Sequence, residues 1–555
     1  MKAGTPGGAR QRGARAPRAA ALAGSLLPAI ASAGSLLPAF ASARSLLLAV
    51  VSAAAAVIAL CPTAQAAEPR FAVLSFQFEG DLPIPRERAL AILAPYTGEA
   101  VRIEDLQSAA AALEAELLAR GFSFYRVILP PQSLEGTALL RVLPFKLANA
   151  TVSGNRHFST QNVLRSLPAL RKGESPNIGE VGRNRAAANE HPTKEIDITF
   201  RQSETPDSVD AEVRVQDQAP FSVFIGLNNT GDRRTGSYRA TLGVQHSNLW
   251  DRDHSVTATY TTSPEKTSEV KQYGLYYRIP FYPVSGALTV FYAFSDVNSG
   301  TVANAFEVSG RGEFAGVHWR QHLTPIGAYS HSLEAGLDDR FFDNNVVFGA
   351  TQLGVDVRSR PVNFTYLARY DQAESSISGS LQYARNLHGG ADNNDAAYSG
   401  NRAGATRDWQ AWRYSADGQW RAGPGAIAVR VRGQFTGEPL IPGEQFGLGG
   451  ASSVRGLRER EVTGESGISM SFEGLLPLPW EGWTALAFVD GGQVRVKDAI
   501  PGQMGRQGAW SAGLGLRWTF ARSFQLAIDA AQVLDGTSVS EAGDRRVHFS
   551  LVYRY

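Results

Sequence analysis

The chain has 555 residues, of which 43% are hydrophobic, 19% charged and 10% aromatic. That length exceeds one ordinary domain, and that apolar fraction excludes a mostly disordered chain. A formal charge of +2 gives no sign of a nucleic-acid binder, and a lone cysteine, Cys61, excludes an intrachain disulfide or a cysteine-rich metal site. The charge is unevenly spread. Residues 1–67 hold Lys2, Arg10, Arg12, Arg15, Arg18 and Arg44 and no acidic residue, and without these six the formal charge falls from +2 to −4.

Residues 1–66 read as an export signal. Basic residues precede an apolar run at 45–60, and Ala64-Gln65-Ala66 offers a cleavage site. The apolar run is short for a membrane span. Three copies of a decamer, at 24–33, 34–43 and 44–53, read as a tandem duplication within this leader. Cleavage near Ala66 removes Cys61. Beyond residue 67 no apolar run reaches the ~18 residues of a helical span. An exported chain of this kind is either soluble or a membrane β-barrel, whose alternating strands escape hydropathy.

Residues 68–145 have mixed character. A strand at 71–78 precedes a short helix at 86–93 and a longer one at 103–120. In the longer helix Leu106, Ala110, Leu113 and Leu117 recur at spacings of three or four, and Gly121 is placed to end it. Strands at 122–129 and 138–143 flank Pro130-Pro131, which gives the order β-α-α-β-β. Residues 146–217 repeat that order. Their elements are a strand at 148–152, a helix at 159–167 capped by Ser159, a weaker helix at 179–189, and paired strands at 196–201 and 209–215.

From residue 219 to 555 helical periodicity disappears and alternating segments take over. Sixteen strands are expected, at 221–227, 238–246, 255–262, 270–279, 287–294, 306–319, 332–342, 362–370, 376–383, 409–420, 427–435, 467–475, 483–494, 509–520, 524–533 and 546–555. An even count suits a closed antiparallel barrel. Trp250, Tyr282, Trp480, Trp483 and Trp518 stand near strand ends, where an interfacial girdle would place them. In the last strand Val547, Phe549, Leu551, Tyr553 and Tyr555 alternate with Arg546, His548, Ser550, Val552 and Arg554. One face suits lipid and the other a polar lumen. The expected fold is an all-β transmembrane barrel of sixteen antiparallel strands preceded by two α+β units.

A loop at 438–466, before the twelfth strand, carries Gly449, Gly450, Val454, Arg455, Gly456 and Leu457. It lacks the spacing and the Lys-Ser/Thr ending of a phosphate loop. The thirteenth strand carries Phe488, Asp490 and Gly492 on one face. These two motifs together resemble the outer-membrane transporters of two-partner secretion, the TpsB family that exports haemolysins and filamentous adhesins. Leu457 departs from the aromatic residue usual at its position. Gly121-Phe122 followed by Val127-Ile128-Leu129-Pro130-Pro131-Gln132 resembles the helix-to-strand signature of that family's POTRA domains. A C-terminal strand ending on an aromatic residue is similar to the insertion signal of outer-membrane barrels.

The resemblance implies a lumenal loop whose Arg455 meets Asp490. It implies an outer-membrane location with two POTRA domains in the periplasm, and an unfolded exoprotein as cargo. Outer-membrane lipid and the barrel-assembly machinery are implied as further partners. A barrel-assembly factor of the same superfamily is the alternative reading, and it usually carries more POTRA units. A lipid-active barrel enzyme would need a Ser-His-acid constellation, which no motif supplies.

No catalytic residue, cofactor or metal site is expected. His191, His246, His254, His318, His322, His331 and His388 show no distinctive ligand spacing, and His318 and His322 read as exposed or lumen-facing. Asp338-Asp339 and the 392–395 cluster read as solvated turns, since they lack the spacing and final Glu of a calcium loop.

Overall fold

The computed structural model describes residues 69–555 except 297–300, 303–305, 308–310, 344–346, 349–350, 353–354, 500 and 522. The expected export signal lies outside the described residues.

The first α+β unit builds one sheet from Phe71–Gly80, Gly98–Val101, Tyr125–Ile128 and Gly136–Pro144. Phe71–Gly80 lies parallel to Gly136–Pro144, and the two short strands flank this pair. Helix Ile103–Ala119 buries Leu106, Ala109, Ala110, Leu113 and Leu117 against Val73, Phe76, Leu140 and Val142. Its acidic first turn includes Asp105, whose carboxylate accepts from the Arg102 backbone N–H at 3.0 Å. Strand Gly98–Val101 is absent from the sequence reading. It opens on Gly98-Glu99, which are poor strand formers, and it exists because Val101 pairs with Phe71.

The second unit joins Lys146–Ser153, Ser208–Asp217 and Lys194–Gln202 in that spatial order, with helices Thr160–Arg165 and Ile178–Ala188. Ser159 Oγ accepts from the Asn162 backbone N–H at 3.0 Å and caps the first of these helices.

Sixteen antiparallel strands then close into a barrel. The eighth is interrupted at Arg360, and both its pieces, Val357–Ser359 and Pro361–Asp371, pair with Tyr329–Phe342. The first strand, Phe221–Asn228, closes on the last, Arg545–Arg554. That ladder is short: it runs from Phe224↔Arg554 to Asn228↔Ser550, and beyond its first pair Val223 and Tyr555 exchange backbone bonds at 3.2 and 2.9 Å.

The barrel wall reverses the burial order of a soluble protein. Leu333, Leu337, Phe364, Phe472 and Leu514 are exposed, while Ser332, Asp338, Ser471, Ser511 and Asp529 are buried. An outer apolar surface with a polar interior is what lipid requires. Trp250 and Trp480 are exposed at turns, and Trp483 stacks on Trp518 with centroids 5.3 Å apart. Tyr282 departs from the expected girdle. It is buried, and its hydroxyl donates to Asp253 Oδ2 at 2.6 Å.

Two acidic clusters also depart from expectation. Asp338 and Asp339 are not turn residues but lie within strand Tyr329–Phe342. Asp338 accepts from Arg340 and Asn363, and Asp339 from Arg358 and Arg360. In the 392–395 cluster Asn394 caps a short helix, Asp395–Asn401, that no periodicity announces. Tyr398 of that helix and the following Trp409 are fully buried against Leu440 and Ile441.

The second unit docks on the barrel rim through buried polar groups. Lys194 Nζ donates to Asp253 Oδ2 at 2.6 Å and to Asn162 Oδ1 at 2.8 Å. His191 Nε2 meets the Ser247 carbonyl at 2.6 Å, and Asn184 Nδ2 donates to Ser285 Oγ at 2.9 Å. Burial raises the Asp253 carboxyl, but Lys194 and His191 outweigh it and hold the group below its usual value. Burial pushes His191 down to about 4, with Asp253 opposing and Lys194 and Arg278 reinforcing the shift.

A docked His191 is therefore neutral across a range where an undocked one takes a proton. Docking is favoured above the ordinary value of 6.5 and weakens as pH falls from there toward 4. At pH 5 the expected loss is about 2 kcal/mol. Spin-label distances between the second unit and the turn at 250–253 check this. A longer distance should gain population at pH 5 in the wild type and not in His191→Gln, whereas an unchanged distribution contradicts it.

Candidate functional site

The loop between the eleventh strand, Gly425–Phe435, and the twelfth, Ser466–Pro477, folds into the lumen. Its two arms pair as Phe446–Leu448 and Val462–Gly464. Leu448, Val454, Leu457 and Val462 pack with Val494, Ala509 and Val533 of the barrel wall. Leu457, which stands where an aromatic was expected, is fully buried in this cluster. Gly449, Gly450 and Gly456 have φ of +113°, +104° and +119°, which L side chains rarely adopt. At Gly456 a Cβ would also press on Val533 Cγ2 at 3.1 Å and Ser511 Cβ at 3.2 Å, so the tip lies directly on the wall.

Arg455 and Asp490 come together at this tip. Arg455 Nε and Nη2 donate to Asp490 Oδ2 and Oδ1, each at 2.7 Å, and the Arg455 backbone N–H donates to Oδ2 at 3.0 Å. This is a bidentate pair with a third bond from the main chain. Arg455 is 2% exposed and Asp490 0%. The guanidinium carbon sits 3.4 Å from the centroid of the Phe488 ring. A Cβ at Gly492 would strike Leu448 Cδ1, so this position lets the loop approach the thirteenth strand.

Three further groups complete the cluster. Arg455 Nη2 donates to Ser471 Oγ at 3.0 Å, and Nη1 lies 2.8 Å from Glu473 Oε1 and 3.7 Å from Asp529 Oδ2. Asp529 also takes two bonds from Arg517, at 2.7 and 2.9 Å. The sequence reading missed Ser471, Glu473 and Asp529. The usable signal was parity on the twelfth strand, where Ser469, Ser471 and Glu473 share the inward face. Register then sets Ser471 opposite Asp490 and Glu473 opposite Phe488.

The last strand presents Val547, Tyr553 and Tyr555 outward, with Phe549 and Leu551 half-buried on the same face. His548 points the other way and is buried. His318 lies 3.1 Å from Glu334 and 2.7 Å from Asp338, and His322 3.3 Å from Glu190. These acids come from the neighbouring strand and the second α+β unit, so linear spacing could not reveal them. Among the described residues no His, Cys, Asp and Glu cluster is arranged to hold a metal.

Comparison with known proteins accounts for most of the chain. Residues 208–518 match the family described as haemolysin secretion/activation protein ShlB/FhaC/HecB, and residues 71–144 match the ShlB-type POTRA domain. The outer membrane transporter CdiB of Dickeya dadantii is 22% identical over 459 residues, covering 77% of this chain and 76% of that protein. The heme/hemopexin transporter protein HuxB of Haemophilus influenzae is 21% identical over 494 residues, covering 83% of each. The solved structure of CdiB from Escherichia coli superposes with a TM-score of 0.71 at 17% identity, covering 94% of this chain and 100% of that one. That of CdiB from Acinetobacter baumannii gives 0.66 at 18% identity, covering 88% and 90%. These two likenesses concern the fold. The chain belongs to the ShlB/FhaC/HecB haemolysin secretion/activation family and is an outer-membrane transporter with periplasmic POTRA units.

Proposed function

We propose that this transporter captures an unfolded exoprotein through its POTRA units and passes it through a lumen that the loop closes at rest. The observation that carries this reading is the Arg455 cluster. A fixed cation seated among buried carboxylates is costly to build and costly to break. Removing one partner leaves the other charge uncompensated, at about 3–5 kcal/mol for a buried pair. A loop that merely decorated the barrel would not need such an anchor.

Capture is supported by the sheets. The outer strands of the first unit are Gly98–Val101 and Tyr125–Ile128. Tyr125–Ile128 is partly capped, because Glu114 accepts from the Val127 N–H at 3.0 Å. No side chain caps Gly98–Val101 among the described residues. An extended polypeptide can add to such an edge through main-chain hydrogen bonds, which bind many sequences. The cargo is an unfolded secreted polypeptide of the haemolysin or adhesin kind.

Two tests follow. Arg455→Ala should lower secretion of a co-expressed partner exoprotein at least tenfold, while heat-modifiable migration shows the barrel still folded. Arg455→Lys, which keeps charge but loses the bidentate fork, should fall between. Wild-type secretion by Arg455→Ala would overturn the role of the loop. Deleting residues 70–145 should abolish binding to an immobilised N-terminal cargo fragment and spare barrel insertion, and retained binding would count against capture by the first unit.

A further inference from the structure

The loop is held at a second place, on different strands. Glu444 sits at the loop's root, in the turn Pro442–Glu444, and its side chain is fully buried. Its Oε2 accepts from Arg340 Nη1 and from Arg413 Nη2, both at 2.8 Å. Arg340 belongs to the seventh strand, Tyr329–Phe342, and Arg413 to the tenth, Gln410–Ala422. Among the described residues neither bonds to the strands that hold Arg455. Glu444 Oε1 has no hydrogen-bond partner among the described residues. A buried carboxylate with one unsatisfied oxygen needs compensation, and here two guanidiniums supply it.

From this root a ladder of charged side chains descends the lumen wall. Arg340 donates to Asp338 at 2.7 Å, and Asp338 meets His318 Nε2 at 2.7 Å. His318 Nδ1 meets Glu334 at 3.1 Å, and Glu334 accepts two bonds from Arg320, at 2.9 and 2.7 Å. Arg320 Nη1 donates at 2.9 Å to Glu190, which belongs to the second α+β unit and also accepts from Arg278 at 2.6 Å. Basic and acidic groups alternate along the whole path. A ring that donates from both nitrogens satisfies both neighbours of His318. Several of these side chains also line a lumenal cavity of about 670 Å³.

We propose that Glu444 is a second latch on the lumenal loop, and that the ladder below it ties this latch to Glu190 of the second α+β unit. The inference rests on the reading that the loop closes the resting conduit. Each member of the ladder is shared between neighbours of opposite charge. Withdrawing Glu190 leaves Arg278 and Arg320 without that acid and gives Arg320 an undivided claim on Glu334. Glu334 then yields its bond to His318, His318 closes on Asp338, and Arg340, released by Asp338, gives Glu444 its undivided charge. Withdrawal of the second unit would thus tighten Arg340 on Glu444, and its docked position eases the loop root, without touching Arg455. The physical warrant for coupling is an energetic one, so the test is a double-mutant cycle.

The purified full-length chain is reconstituted in planar bilayers of phosphatidylethanolamine and phosphatidylglycerol, and the fraction of time spent conducting is recorded. Glu444→Gln should raise that fraction at least fivefold, and Glu444→Asp should return it near the wild-type value. Glu190→Gln should lower it, and in the double variant it should leave the Glu444→Gln value unchanged. No change with Glu444→Gln overturns the latch. A rise or no change with Glu190→Gln, or independent effects that multiply, overturns the ladder. Arg455→Ala in the same bilayers separates the two readings. If it opens the channel and Glu444→Gln does not, only the latch fails, and if neither does, the closing role of the loop fails. Heat-modifiable migration reports folding of each variant, and Arg413→Lys gives the same reading where Glu444→Gln does not fold.

Discussion

A sheet in hydrocarbon can leave no edge, because an unpaired N–H or C=O there has no water to turn to. Every other feature of this barrel follows from the closure of Phe221–Asn228 on Arg545–Arg554. The backbone ladder at that seam stops at Asn228↔Ser550. A side chain then continues it, since Asn229 Nδ2 donates to the Val547 carbonyl at 2.7 Å and its Oδ1 accepts from the Phe549 N–H at 2.9 Å. Asn229 thus does for two more backbone groups what strand pairing does elsewhere.

Closure creates an inside, and alternation decides what enters it. Residues facing lipid must be apolar, so most charged residues of the wall face inward. Inside, each must find an opposite charge or a water. Two solutions coexist in one lumen. On the twelfth, thirteenth and fifteenth strands, Glu473, Asp490 and Asp529 converge on a single cation brought by the loop tip. On the sixth, seventh and tenth strands, cations and anions alternate and end on a single anion at the loop root. The loop therefore presents complementary charges to opposite sets of strands. It is held as part of the wall, while its connections to the strands remain ordinary loop backbone.

Much of this is legible in the sequence. Strand positions follow from alternation, which the lipid–lumen contrast imposes residue by residue. The meeting of Arg455 and Asp490 follows from the family resemblance, which the loop glycines and the Phe488-Asp490-Gly492 face carry, and not from spacing. What escaped depends on register between distant segments. Glu473 and Asp529 reach Arg455 because of cross-strand pairing and barrel closure, not spacing. Asp338 looked like a turn residue because two adjacent aspartates are rare in a strand, and only Arg340, Asn363 and His318 make the position tenable. Tyr282 resembled a girdle aromatic because local sequence does not record that the second α+β unit covers it. Helix Asp395–Asn401 is too short for periodicity, and its cap, Asn394, lay within a cluster that read as a turn.

The central claim is that the loop occupies the lumen at rest and yields when cargo passes. Val454, fully buried beside Arg455, is the residue to watch. A Val454→Cys variant with Cys61 replaced can be probed in intact cells with a membrane-impermeant maleimide, with and without co-expressed exoprotein. The account predicts labelling that appears only while cargo is exported. Equal labelling in the presence and absence of cargo would contradict it.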